Sequence, residues 1–414
     1  MFDRWYAGPL REKLGRPFVH LVFGARQTGK STLLRTLLPP ESLVFDLADP
    51  LERSRLSAHP ELFLQACRAL PADGLGQTVF VDEAQTVPAL FDAVQHLYDQ
   101  DKKRWRFVLC GSSARKLRRV GANLLPGRSF LHRLYPLTTA EHPSVTRISG
   151  PAKSPLPFVW PGNVVPANPF PAWGLEDRLA YGALPGIVAS EMRDRPELLR
   201  AFSFIHLEEE IRREALVRDW GAFVRFLQLA ARESGQILNY AALSQETGIS
   251  QPTVKSYYQL LEDMFVGFRV PVFAKSPRKK LLSTPKFLLF DLGVRHAAAG
   301  LTPSGDLVSA NPGPLLEQWV GIELWKRLQY LGDGTLYYQR TRDGAEVDFI
   351  VERGGTLVPI EVKWTAHPSV SDGRHLLTFL AEHPRQARRG YVVCRCTRPL
   401  ELHEKITALP WSCL

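Results

Sequence analysis

Nine consecutive residues, "GARQTGKST" from Gly24 to Thr32, form the first arrangement that could do chemistry. They fit G-x-x-x-x-G-K-[ST], between an apolar run, "HLVF", and a helical pattern, "STLLRTLL". In such a loop the backbone N–H groups face phosphate oxygens, helped by the N-terminus of the following helix. Gly24 and Gly29 permit the tight backbone, and Ala25, Arg26, Gln27 and Thr28 complete the cradle. Lys30 reaches the β- and γ-phosphates, Ser31 supplies a hydroxyl to Mg²⁺, and Thr32 follows in the first helical turn. The expected ligands are ATP and Mg²⁺. "TVFVDEAQ" then ends an apolar strand on Asp82, suited to hold hydrated Mg²⁺, and Glu83, suited to polarise water as general base. "FVLCGSSARKL" ends on Ser112 and Ser113, where a polar group could sense the γ-phosphate. "LLPGRSFLHRLYPLT" holds Arg128, which is either a charge donated to a neighbouring subunit's phosphates or a surface arginine.

A second set of groups lies in "GAEVDFIVERGGTLVPIEVKW". Charge inside an apolar strand is costly unless it is paired. Side chains alternate along a strand, so Glu346 and Asp348 share one face, and Glu361 and Lys363 share a face of the next strand. Gly354 and Gly355 make the turn. Bringing the faces together would join Asp348, Glu361 and Lys363. Two carboxylates on Mg²⁺ or Mn²⁺, with a lysine beside the water, are the parts of metal-assisted phosphodiester hydrolysis. The same three charges also read as a salt-bridge cluster, with Lys363 neutralising the two acids.

The elements that must position these groups follow from patterning. "FVHLVFG", "SLVFDL", "QTVFVDEA" and "RFVLCGSS" are short apolar runs separated by helical spacing, which implies a parallel sheet covered on both faces. Prolines crowd residues 142–174, which read as an extended linker or insert. Helical patterns resume at Leu175. Within them "LNYAALSQETGISQPTVKSYYQLLEDM" reads as a helix-turn-helix, with Gly248 and Ile249 in the turn and Ser250 capping a second helix over 251–263. Gln251, Thr253, Lys255 and Ser256 near its start could face a DNA groove. A basic stretch with Lys275, Arg278, Lys279, Lys280 and Lys286 follows, suited to phosphate contacts. Such modules also serve protein contacts, and both uses stay open. The expected division is a P-loop ATPase core over 1–141, the Pro-rich insert over 142–174, a helical region over 175–220, a winged helix-turn-helix over 221–275 and a mixed α/β module over 276–414.

The order of these motifs resembles the bacterial and archaeal AAA-superfamily ATPases that carry a C-terminal domain of unknown function. The resemblance implies ATP–Mg²⁺ binding through Lys30, Ser31 and Asp82, Glu83 as the catalytic partner of Asp82, and Arg128 as an arginine finger acting between subunits of a homo-oligomer, a hexamer among the forms expected. The C-terminal hairpin resembles the PD-(D/E)xK, restriction-endonuclease-like nucleases. That likeness makes Asp348 the aspartate and Glu361-Val362-Lys363 the E-x-K. It makes Glu317, on the helix "GPLLEQWVGIELWKRL", a further metal ligand, and Arg340 and Arg342 in "QRTRDG" could meet DNA phosphate.

Composition bounds the rest. The 414 residues carry a net charge of +10, which favours an anionic partner such as nucleic acid. The five cysteines form no C-x-x-C pair, so a zinc site is not expected, and Cys394 and Cys396 read as strand packing. No signal-like apolar core opens the chain and no run of about 18 apolar residues could cross a membrane, which points to the cytoplasm. The expected function is ATP-dependent binding and remodelling or processing of branched or forked DNA, cutting included. The rival is a regulatory ATPase switch acting on a protein partner. A small-molecule kinase fits poorly, because Asp82 and Glu83 beside the loop suit attack by water.

Overall fold

The four apolar runs become strands β1 (Val19–Phe23), β2 (Leu43–Asp46), β3 (Gln77–Asp82) and β4 (Trp105–Gly111). A fifth, β5 (Ser129–Arg133), was not marked by any strict apolar run. The computed structural model describes residues 2–71, 76–112, 127–145, 166–203, 211, 217, 219–274, 284–340 and 346–414. Expectations for Ser113, Lys275, Arg278, Lys279, Lys280, Arg342 and most of the Pro-rich insert fall outside the described residues. The chain divides into two compact units. One is Asp3–Tyr135 with Asp263–Phe265, and the other is chiefly Pro136–Glu262 and Val266–Leu414.

In the first unit the sheet order is β2-β3-β4-β1-β5, and every pairing is parallel. Parallel strands need crossovers, and the helices Lys30–Leu37, Pro50–Ala58, Glu61–Arg68 and Ala89–Gln100 supply them. All five residues of β1 are buried, as expected of a strand covered on both faces. Phe45, Phe63, Phe107 and Trp105 stack through the core with Val79, Val81 and Leu109. Each such side chain contributes about 1.5–3 kcal/mol on burial. The phosphate-binding loop therefore leaves the carboxyl end of a central strand, between β4 and β5.

The second unit holds a mixed six-stranded sheet of order β12-β13-β11-β10-β9-β8. Its strands are β8 (Thr335–Arg340), β9 (Glu346–Arg353), β10 (Thr356–Val362), β11 (Gly390–Cys394), β12 (Leu400–His403) and β13 (Ile406–Pro410). β8–β9 and β9–β10 are antiparallel, whereas β10–β11 and β11–β13 are parallel. The β9–β10 turn is made by Gly354 at φ 55° and Gly355 at φ 77°, the double positive φ of a type I′ hairpin. Helix Pro312–Leu331 packs its Leu316, Trp319 and Val320 with Phe349, Ile360 and Val393 of one face, and helix Arg374–Glu382 packs Leu376 and Phe379 with Ile350 and Val392 of the other.

The same unit contains helices Trp220–Arg232, Tyr240–Thr247 and Gln251–Asp263. Asp219 and Asn239 cap the first two through Ala222 N–H and Ala242 N–H, and the Ser250 hydroxyl accepts from Thr253 N–H at 3.3 Å. Gly248 ends the middle helix in the left-handed region at φ 73°. A two-stranded antiparallel ribbon follows, β6 (Gly267–Val270) with β7 (Lys286–Leu289).

Candidate functional site

The P-loop is built as its sequence demands. Gly29 sits at φ 83°, and Gln27 is also left-handed at φ 60°. A Cβ on Gly24 would lie 2.1 Å from the Leu134 carbonyl oxygen, so only glycine fits where β1 passes β5. Lys30 is buried and donates from Nζ to the carbonyls of Gly24 (2.8 Å) and Ala25 (2.9 Å). The Thr28 hydroxyl closes the loop on Ala25 O at 2.9 Å. Arg4 Nη1 buttresses it from outside, donating to Thr28 O at 2.6 Å.

The two proposed Mg²⁺ groups meet. Ser31 Oγ donates to Asp82 Oδ1 at 2.9 Å, across 51 residues of sequence. Asp82 is buried, and its Oδ1 also accepts from Glu83 N–H at 3.1 Å. A hydroxyl and a carboxylate side by side at a phosphate-binding loop are the donor set Mg²⁺ takes in such sites. Glu83 stands in the left-handed region at φ 52°, an uncommon conformation for a non-glycine residue. Its carboxylate accepts from Gln85 Nε2 at 2.5 Å, and the same amide group donates to Ser112 Oγ at 3.1 Å. Gln85 is the residue that motif reading passed over. Its only sequence signal is its place two residues after Glu83 in "DEAQ".

Arg128 precedes β5, level with the start of β1, because Val19 pairs with Ser129 and Val19 N–H donates to Arg128 O. The P-loop leaves the other end of β1. Arg128 thus lies at the opposite edge of the sheet from its own phosphate loop. Its Nε donates to Asp99 Oδ1 at 2.6 Å.

In the second unit the hairpin charges do come together, with an added partner. Asp348 Oδ2 accepts from Val362 N–H at 2.8 Å, which ties the aspartate to the strand carrying Glu361. Lys363 Nζ donates to Glu361 Oε1 at 2.7 Å. Burial, then the charges of Glu317 and Glu361, push the Asp348 carboxyl well above its ordinary range, against the pull of Val362 N–H and Lys286. Burial raises Glu361 too, opposed by Lys363. The added partner is Lys286, buried on β7, whose Nζ pairs with Glu317 Oε1 at 2.9 Å and Glu346 Oε1 at 2.8 Å. Burial pulls its pKa down, but the two carboxylates outweigh that and raise it. Glu317, expected as a further metal ligand, is therefore paired with a lysine. Glu361 Oε2 is buried and has no hydrogen-bond partner among the described residues, which would suit a cation. Yet no three His, Cys, Asp or Glu side chains converge as a metal cage among the described residues. Asp348 and Glu361 are left as a pair of acids, held by Val362 N–H and Lys363.

Elsewhere helix Gln251–Asp263 exposes Gln251, Lys255 and Ser256, while Thr253 is half-buried and Val254 and Tyr258 pack inward. Cys394 and Cys396 are buried in the strand-packed core beside helix Arg374–Glu382. Among the described residues no helix is long and apolar enough to cross a membrane.

The parallel sheet, the P-loop and the Ser31–Asp82 pair define an AAA-type P-loop ATPase unit, for which ATP and Mg²⁺ are the cofactors. A family model for an AAA domain matches residues 16–142. Two models described as domains of unknown function, DUF8612 and DUF4143, match residues 172–305 and 312–414. An uncharacterized protein of Mycobacterium tuberculosis is 28% identical over 368 residues, spanning 88% of this chain and 74% of its own. An uncharacterized protein of Haemophilus influenzae is 21% identical over 381 residues, spanning 87% and 86%. A crystal structure of a Vibrio cholerae protein overlaps at 10% identity with a TM-score of 0.17, too low to bear on the fold.

Proposed function

We propose that this chain is an ATP-driven protein that binds branched or forked DNA and remodels or processes it. Lys30 would hold the phosphates, Ser31 and Asp82 the Mg²⁺, and Glu83 would take the proton of the attacking water. Bound Mg²⁺ supplies neutralisation of charge on the phosphates. The observation that carries the DNA reading is the meeting of Asp348, Glu361 and Lys363 at one place on the C-terminal sheet. It is supported by the order helix, β8, β9, β10, helix, β11, which suits the restriction-endonuclease-like module that the hairpin resembles. The helix-turn-helix with its ribbon, and the net charge of +10, supply a way to hold DNA. Arg128 lies level with the start of β1, away from its own loop, and would serve a neighbouring subunit's phosphates.

A second reading rests on Lys286. A site whose acids are already neutralised by two lysines suits a scaffold, and a regulatory switch acting on a protein partner would carry one. The deciding experiment is cleavage of labelled four-way junction, fork and duplex DNA in Mg²⁺ or Mn²⁺, with and without ATP. Wild type is compared with Asp348→Ala. Cutting by wild type that vanishes in the variant is the expected result for processing. Binding of fork DNA by both proteins without cutting would end the nuclease claim for these substrates. Absence of DNA binding by either would favour the switch.

A further inference from the structure

Gln85 has no role in the reading above, yet its side chain is placed with unusual constraint. It follows β3 in the short turn Ala84–Thr86, and it is buried. A carboxylate only accepts hydrogen bonds, so the contact with Glu83 Oε2 at 2.5 Å obliges the Gln85 amino group to face Glu83. The same group donates to Ser112 Oγ at the end of β4. This leaves Gln85 Oε1 buried without a hydrogen-bond partner among the described residues. An apolar side chain of similar size would fill the space without that desolvation cost. The neighbouring strand also makes way for the amide. A Cβ on Gly111 would lie 2.2 Å from Gln85 Oε1 and 3.2 Å from the Phe23 ring. Glu83 itself is pinned through its carbonyl, which accepts from Thr86 N–H at 2.9 Å and from the Thr86 hydroxyl at 2.8 Å. Its carboxylate is then the part left to aim, and Gln85 Nε2 donates to it.

We propose that Gln85 is a positioning residue for ATP hydrolysis, its amide coupling the Glu83 carboxylate to the Ser112 hydroxyl so that the base is set by the phosphate-facing end of β4. The inference rests on Glu83 acting as the hydrolytic base. It predicts that the amide's donor, and not its bulk, matters for turnover, and that Gly111 matters because it leaves room for that amide.

The test uses the full chain and four variants: Gln85→Met, Gln85→Ala, Gly111→Ala and the double Gln85→Met/Gly111→Ala. Phosphate release gives kcat, and titration with a fluorescent ATP analogue gives Kd. Gln85→Met keeps the volume and loses the donor. The expected result is a fall in kcat of about tenfold or more in both Gln85 variants, with Kd within about twofold of wild type. Gly111→Ala should lower kcat as well, and the double variant should be no slower than the slower single, because both act on one contact. Wild-type kcat in Gln85→Met would overturn the proposal, as would a matched loss of kcat, affinity and thermal stability, which marks a structural role. Wild-type protein that binds ATP and never turns it over would instead overturn the hydrolysis reading, and the inference with it.

Discussion

Glu83 and Asp348 are both strand-end or strand carboxylates, and the structure gives them opposite surroundings. The Glu83 carboxylate accepts from Gln85 Nε2 and its backbone N–H donates to Asp82, beside a loop made for phosphate. Glu83→Gln should keep ATP binding and lower turnover by about 10²-fold or more, read as phosphate release against nucleotide titration. Asp348 is buried among acids, and its folded pKa lies above its unfolded value. A carboxyl shifted that way adds stability at low pH, and the contribution is lost as pH rises through the folded value. Asp348→Asn should therefore raise Tm at pH 8, by about 2–4 °C per kcal/mol relieved, with the gain shrinking toward pH 4. Thermal melts across that range check it. A Tm that falls at pH 8 would mean that the Val362 N–H bond outweighs the repulsion.

At the scale of elements, two close contacts hold the sites together. Gly24 lets β1 pass the Leu134 carbonyl, and Gly24→Ala should abolish nucleotide binding by displacing the loop, which titration with the fluorescent analogue would reveal as a lost signal. Lys286 ties the ribbon strand β7 to helix Pro312–Leu331 and to β9 through Glu317 and Glu346. Losing one partner of a buried ion pair costs about 3–5 kcal/mol. Glu317 and Glu346 keep 28% and 32% of their side chains exposed, so water softens the loss to about 1–3 kcal/mol. Lys286→Met should lower Tm accordingly, and Lys286→Met/Glu317→Gln/Glu346→Gln should recover most of it. If the triple variant melts as low as the single, the pairing is not what Lys286 contributes.

At the scale of the whole molecule, the proposal is that ATP turnover answers to DNA. Fork DNA should raise the wild-type ATPase rate, and DNA affinity should fall steeply with salt, log K declining by about 0.9 per phosphate contact for each unit of log salt. A rate indifferent to DNA, with binding unmoved by salt, would favour the protein-partner switch. Arg128 enters at this scale because its own sheet separates it from its own loop. Arg128→Ala should leave ATP affinity intact and lower turnover only where subunits assemble, which turnover measured against protein concentration would reveal.

The local signals in the sequence were sufficient for the ATP site. A P-loop needs its glycines, lysine and serine within nine residues, and β1 to β4 announce themselves because strands buried on both faces are apolar throughout. The hairpin was legible for a similar reason, since Gly354-Gly355 and the period of two set its turn and faces. Even the cap of the second helix, Ser250, stood where its residue type belongs. What tertiary structure alone decided is which distant groups share a carboxylate. Ser31 meets Asp82 across 51 residues, Gln85 bridges Glu83 to Ser112, and Lys286 reaches Glu317 and Glu346 from a separate ribbon. Spacing along a chain carries no record of such meetings, because hydrogen bonds and ion pairs between elements depend on sheet order and register, and these are set by packing of the whole core.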